Sequence, residues 1–162
     1  MNVEAILGFL DTSPLARHQA FQYFEQLKES EDGWKLSINM LSTVNEEQDQ
    51  VKFFCFQVIL HYIKTKYAYA DTEQQQIIRD FVKHWIQTQG TSTQPDSALI
   101  QNKASQVICT VFLTDYPSRW PLFFDDLLHT LNMGVTSTLI YLRILLSINS
   151  EVADREVSRT QK

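Results

Sequence analysis

The segment that most constrains the fold is an apolar helical run closing on Asp115-Tyr116-Pro117, followed by Arg119-Trp120-Pro121 and a second apolar run from Leu122 to Leu131. Proline donates no backbone hydrogen bond and pushes the residue before it out of the helical region, so the first helix must stop at this corner. Pro121 suits the first turn of the next helix, where its missing N–H has no helical partner to lose. Two helices joined by so short a corner run antiparallel, and the chain on either side repeats the arrangement. The pattern predicts a helical repeat rather than a catalytic scaffold.

Composition supports long helices. Hydrophobic residues make up 44% of the 162 and aromatics 12%, while the whole chain holds four Gly and four Pro, too few for a fold of short strands and tight turns. Net charge is −5, with 14 basic against 19 acidic residues, which argues against a domain that holds nucleic acid chiefly by neutralising phosphates. Cys55 and Cys109 sit inside apolar helical runs without a Cys or His at ligand spacing, as expected of buried thiols in a reducing compartment. The start of the chain, Met1 to Leu10, contains Glu4 and lacks a basic leader and a cleavage site, so no secretion signal is expected. The longest apolar stretch, Phe53 to Ile63, falls short of the roughly 18 residues of a membrane span and carries His61, so membrane insertion is not expected.

Along the chain, an amphipathic segment from Val3 to Leu10 precedes Ser13-Pro14, a cap and first-turn proline for a helix burying Ala16, Ala20, Phe24 and Leu27. A break at Asp32-Gly33 leads to a shorter helix with Trp34, Ile38 and Leu41 on one face. Asn45 and Gln48 signal the next start; that helix carries Val51, Phe54, Cys55, Val58, Ile59 and Tyr62, with Phe53, Phe56 and Leu60 off the stripe, so it is expected to be covered on several sides. Thr72 and Gln75 resemble a capping box for a helix burying Ile77, Ile78, Phe81, Val82, Trp85 and Ile86. Gln89 to Ser97 reads as a polar surface loop. A third pair then carries Ile100, Ala104, Val107, Ile108 and Val111, followed by Trp120, Phe123, Phe124, Leu127, Leu128 and Leu131. A last helix bears Leu139, Leu142, Leu145 and Leu146, and is expected to leave apolar surface exposed around Ile140, Ile144 and Ile148.

The predicted fold is all-α, a HEAT-repeat superhelix of about three and a half helix pairs with a repeat near forty residues. Because such repeats bury their apolar faces by stacking, a last helix without a partner leads us to expect that the natural protein continues beyond Lys162.

Particular stretches carry a family resemblance: Phe24-Glu25-Gln26-Leu27-Lys28, Val51 through Val58, Asn102-Lys103-Ala104, Tyr141-Leu142-Arg143-Ile144-Leu145 and Ser150-Glu151-Val152. They resemble the beginning of a receptor of the importin-β (karyopherin) family, in its tRNA-exporting branch. Residues 1–90 resemble the importin-β N-terminal domain and residues 97–162 the exportin-1-like segment that follows it, in one continuous solenoid. The resemblance implies a non-enzymatic carrier without cofactor that binds the small GTPase Ran in its GTP form, carries mature tRNA in its full-length form, meets nuclear pore proteins, and shuttles between nucleus and cytoplasm. It further implies Ran contact through second helices of the early repeats, for which the polar positions opposite the buried stripes are Lys35 and Asn39, then Gln76, Arg79, Asp80, Lys83 and Gln87.

Other motifs favour structure over chemistry. His18, His61, His84 and His129 are scattered, with no linked nucleophile and orienting carboxylate, and no glycine-rich phosphate loop is present. Asp125-Asp126 reads as a solvated helix edge. Trp34, Trp85 and Trp120 lie in register with apolar stripes and are expected in the core. Asn102-Lys103 suggests hydrogen bonding between repeats. Lys64, Lys66, Arg143, Arg155 and Arg159 could meet phosphate in a complete superhelix, but no basic stripe with interleaved aromatics marks a stand-alone RNA site.

Overall fold

The computed structural model describes Gly8, residues 13–43 and residues 48–160, with side chains up to Asp154. The described residues are helical throughout their regular structure, with no strand among them, as the apolar spacing predicts. Seven α-helices are described: α1 (Pro14–Glu29), α2 (Gly33–Leu41), α3 (Asp49–Thr65), α4 (Thr72–Thr91), α5 (Ala98–Asp115), α6 (Phe123–His129) and α7 (Val135–Thr160). They fall into two compact units, Met1–Tyr69 and Ala70–Lys162. The Val3–Leu10 amphipathic segment, apart from Gly8, and the Asn45 start signal lie outside the described residues.

In the first unit Ser13 caps α1, its hydroxyl accepting from the Ala16 amide at 3.5 Å, and Pro14 opens the first turn. Ala20 and Leu27 are buried, whereas Ala16 and Phe24 are half-covered. α3 is enclosed on several sides, with Val51, Phe54, Cys55, Phe56, Val58, Ile59, Leu60 and Tyr62 all buried. Leu27, Val51, Phe54, Cys55 and Val58 form its core, to which Phe24 adds an edge-on contact with Phe54 at 4.9 Å. Trp34 stacks on Tyr62 at 4.4 Å. Burial pushes the Cys55 thiol up to about 12, so it stays protonated and behaves as a small apolar group.

The turn between α1 and α2 depends on Gly33. A Cβ there would lie 1.9 Å from the Leu27 carbonyl oxygen, a backbone atom held by its own helix. The α1 end is further tied to α3, where Lys66 donates to the Glu29 carbonyl at 3.2 Å and His61 faces the Glu29 carboxylate at 3.4 Å. α2 packs more extensively on α3 than on α1, and a Cβ on Gly8 would meet Ala16 and Ala20 of α1. The sequence joined α1 to α2 as a pair; the packing instead favours α2 with α3.

The second unit begins with α4, capped by Asp71 rather than Thr72: the Asp71 carboxylate accepts from the Gln74 amide at 2.8 Å. Gln75 donates instead to the Ala70 carbonyl, at 3.0 Å. Ile78, Val82, Trp85 and Ile86 are buried; Ile77 and Phe81 are half-covered. α4 runs through Gly90 to Thr91, so the loop is shorter than expected, and it is anchored. The Asp96 carboxylate accepts from Trp85 Nε1 at 3.2 Å and Gln89 Nε2 at 2.9 Å, while its amide donates to Gln89 Oε1 at 2.7 Å. Its carbonyl accepts from Gln101 at 2.8 Å. The loop's polarity thus satisfies two buried glutamines rather than merely facing water.

α5 starts at a Ser97 cap and ends at the corner, where the Tyr116–Pro117 peptide is cis. Trp120, Phe123 and Leu127 are buried as expected, but Leu128 is 47% exposed because α6 is short and gives way to a 3-10 turn, Thr130–Met133. Gly134, at φ 127°, then opens α7. α7 packs chiefly on α5 and approaches α4 closely at Gly90, where a Cβ would lie 2.3 Å from Ser137 Oγ. Its buried face is Ser137, Ile140, Ile144 and Ile148. This reverses the expected orientation: the isoleucines are covered and Leu139, Leu142 and Leu146 face outward, since α5 takes the isoleucine stripe.

Two stability effects follow. Gly33→Ala should lower unfolding free energy by about 3 kcal/mol, as overpacking against fixed backbone does, and a denaturant titration that left the midpoint unchanged would contradict the close approach. Asp96→Ala should cost about 2 kcal/mol by leaving the Trp85 and Gln89 donors unpaired. Hydrogen exchange should report faster opening of residues 89–97 in that variant; wild-type protection there would show that Asp96 is not the anchor.

Candidate functional site

The polar faces of α2 and α4 carry the seven residues singled out for partner contact, and the structure divides them by what already holds them. Asn39 is exposed on α2. Lys35 is half-covered, 3.4 Å from the Asp32 carboxylate and 5.4 Å above the Trp34 ring. On α4, Gln76, Asp80 and Gln87 are exposed one helical turn or two apart, and Gln76 Nε2 donates to Asp80 Oδ1 at 2.7 Å. That hydrogen bond spends some of the rotamer freedom of both exposed side chains.

Arg79 and Lys83 have structural partners instead. Arg79, with 11% of its side chain exposed, donates from Nη1 to Asp115 Oδ2 at 3.2 Å and to Gln76 Oε1 at 3.2 Å through Nη2. Asp115 is fully buried, and Arg119 approaches its other oxygen at 3.8 Å. A carboxylate taken out of water needs such a cation, so Arg79 is committed to joining α4 to the end of α5. Lys83 Nζ lies 2.8 Å from Asp126 Oδ2 and 5.3 Å from the Trp120 ring centre. Trp120 Nε1 donates to the same Asp126 oxygen at 2.7 Å.

Burial works against the charge on Asp126, but hydrogen bonds from Lys83 and Trp120, with the charges of Lys83 and His129, outweigh it and hold the carboxyl below its ordinary value. A depressed folded-state value contributes stability above the ordinary carboxylate pKa, lost as pH falls through the lowered one. The Asp125-Asp126 pair therefore splits: Asp125 is exposed, whereas Asp126 ties α6 to α4. Nothing in the sequence links Trp120, six residues away, to that carboxylate.

Beside this cluster lies a recess of about 240 Å³, walled by Val82, Ile86, Leu127 and Met133 with Lys83 and His129 among its polar lining. His129 Nδ1 sits 2.6 Å from the Asp125 carbonyl, which can only accept, so Nδ1 carries the proton in that contact. Asn102 meets its expected role, accepting from Arg143 Nη1 and thereby tying α5 to α7. Lys103, next to it, is half-covered and donates to Gln106 at 3.0 Å. Of the other basic residues, Lys64 is exposed, Lys66 holds the end of α1, and the side chains of Arg155 and Arg159 lie outside the described residues. Among the described residues no group of His, Cys, Asp and Glu is placed to hold a metal ion, and no helix is long and apolar enough to cross a membrane. The arrangement presents side chains for recognition on rigid helices.

Known proteins resemble this chain along its whole length. Residues 97–162 match the family described as Exportin 1-like protein. Over its full length the chain is 41% identical to Exportin-T of Mus musculus and 41% identical to that of Homo sapiens, covering 17% of each. Exportin-T of Danio rerio is 39% identical over 97% of the chain, which covers 16% of that relative. The chain thus spans about a sixth of the length of the curated relatives it matches. An identity of 41% sustained from one end of the chain to the other makes it similar to a segment of Exportin-T along all of its length.

Proposed function

We propose that this segment is the Ran-GTP-recognising part of a nuclear export receptor for mature tRNA, working by surface complementarity without chemistry of its own. The observation that carries the reading is the full-length similarity to Exportin-T from mouse and human. In this reading residues 1–90 supply importin-β-like repeats and residues 97–162 exportin-1-like repeats. The longer protein shuttles between nucleus and cytoplasm, meets nuclear pore proteins in transit, and closes around tRNA with parts beyond this segment. A helical-repeat scaffold without a transport role is the competing class, and nucleotide-dependent binding of Ran separates the two.

The contact residues proposed are Asn39 and Lys35 on α2 of the first unit and, separately, Gln76, Asp80 and Gln87 on α4 of the second, with Arg79 and Lys83 holding the α4 face in place. A second reading moves the face to α5 and α7, around Asn102, Lys103 and Arg143. It is favoured by the packing of α5 on α7, which brings Asn102 and Arg143 together on one side of the second unit. The two readings predict opposite responses to single charge reversals.

The segment should bind Ran loaded with a GTP analogue more tightly than Ran-GDP, measured by titration calorimetry; equal affinity for both forms would remove the proposal. Asp80→Lys should weaken that binding by about 1 kcal/mol, roughly fivefold, with helicity and melting unchanged because an exposed charge contributes little to stability. An effect of Lys103→Glu with none of Asp80→Lys would assign contact to the α5–α7 face. Filter binding at near-physiological salt should show poor affinity for mature tRNA, since 14 basic residues are outnumbered by 19 acidic ones. Submicromolar, tRNA-selective binding would instead give this segment a complete cargo site.

A further inference from the structure

Arg143 is half-covered on α7, and within the described residues it donates through Nη1 to Asn102 Oδ1 of α5. Its Nε is covered by protein yet meets no acceptor there. A covered N–H that has given up water without gaining a bond costs free energy, and the cost is larger on a charged group. Nε and Nη2 lie along one edge of the planar guanidinium, and their two N–H bonds match the two oxygens of a carboxylate. Asn102 holds the plane through Nη1, which is not part of that edge. At about 100° per residue, Arg143 falls on the flank between the buried isoleucine stripe and the exposed leucine stripe of α7. A helix packed on Leu139, Leu142 and Leu146 would therefore leave Arg143 at the seam with α5.

The two helices that form the seam supply no carboxylate to it. Residues 97–114 and 135–150 contain neither Asp nor Glu, and their charged side chains are Lys103 and Arg143. At the ends of α5, Asp96 is held by Trp85 and Gln89, and Asp115 by Arg79. Glu151 follows Arg143 by eight residues, about 12 Å along the helix. The seam is thus locally cationic on a chain of net charge −5, and it suits an anion. Two cations are few for a polyphosphate backbone at physiological salt, which favours a single carboxylate on a protein. We infer that Arg143 anchors an acidic side chain of the GTPase, receiving its carboxylate on Nε and Nη2 while Lys103 adds to the local positive potential. This site rests on the placement of Ran contact at α5 and α7.

Titration calorimetry of the 162-residue chain against Ran loaded with a GTP analogue tests it. Arg143→Gln should weaken binding about tenfold, with helical circular dichroism retained. Arg143→Lys keeps the charge but not the paired N–H geometry, and should recover only part of that loss. A double-mutant cycle separates contact from a structural role. Across Asp→Asn and Glu→Gln variants of the GTPase, one should cost about tenfold against the unsubstituted chain and nothing further against Arg143→Gln. Were Arg143 only a tie between α5 and α7, the two losses would add. Should Arg143→Gln lose helicity, the cycle is run on Arg143→Lys. Binding unchanged by both Arg143 variants, or additive losses at every acidic position, would overturn the carboxylate site while nucleotide-dependent binding of Ran stood. Equal binding of both nucleotide forms by the unsubstituted chain would remove the proposed function and this site with it.

Discussion

The second unit is organised around one buried carboxylate. Asp115 has no exposed surface, yet it terminates α5, receives the Arg79 guanidinium from α4, and accepts the amides of Arg119 and Trp120 on its backbone carbonyl at 2.7 and 3.1 Å. Those last two bonds shape the corner that delivers Trp120 into the core, where its ring meets Phe123 at 5.1 Å and its indole nitrogen meets Asp126. Lys83 of α4 reaches the same Asp126. Two carboxylates thus clamp α4 to the α5–α6 corner. A buried charge adds little net stability compared with an apolar replacement, but removing its partner is costly, about 3–5 kcal/mol, so the clamp selects one geometry rather than deepening the well.

This clamp explains how far the sequence could be read. Apolar periodicity located every described helix, because burial of a stripe is a local consequence of residue order. It also predicted that α3 would be covered on several sides, since its off-stripe positions Phe56 and Leu60 are apolar too. It failed on α7, where leucines at 139, 142 and 146 and isoleucines at 140, 144 and 148 both satisfy helical spacing. Which stripe turns inward depends on α5, and no local pattern encodes that choice.

Polar residues were harder still. Arg79, Lys83 and Asp126 lie where a solvated face is expected, and each is held by a residue distant in sequence or across the corner. Asp96 sits among Thr, Ser, Gln and Pro, a composition typical of an unconstrained loop, yet it satisfies Trp85 and Gln89 together. Caps gave a partial signal: Ser13 acts as expected, Ser97 caps α5 although it reads as the end of a polar loop, and Asp71 takes the role of Thr72 by one residue because its carboxylate already reaches the Gln74 amide. The candidate face was legible as a helix side, not as a set of available residues.

That distinction bears on how a repeat segment can evolve partners. A polar side chain committed to an internal ion pair cannot be exchanged to suit a new ligand without loosening the fold, so Arg79 and Lys83 fix the frame in which Gln76, Asp80 and Gln87 are displayed. The exposed three can change with little effect on folding, because surface substitutions away from caps and buried partners usually alter stability by under about 0.5 kcal/mol. On α4 the side chains of Gln76, Asp80 and Gln87 can therefore vary while Arg79 and Lys83 between them remain structural. A helix whose internal ion pairs are interspersed with its exposed groups in this way can change its outer face and keep the same rigid backbone.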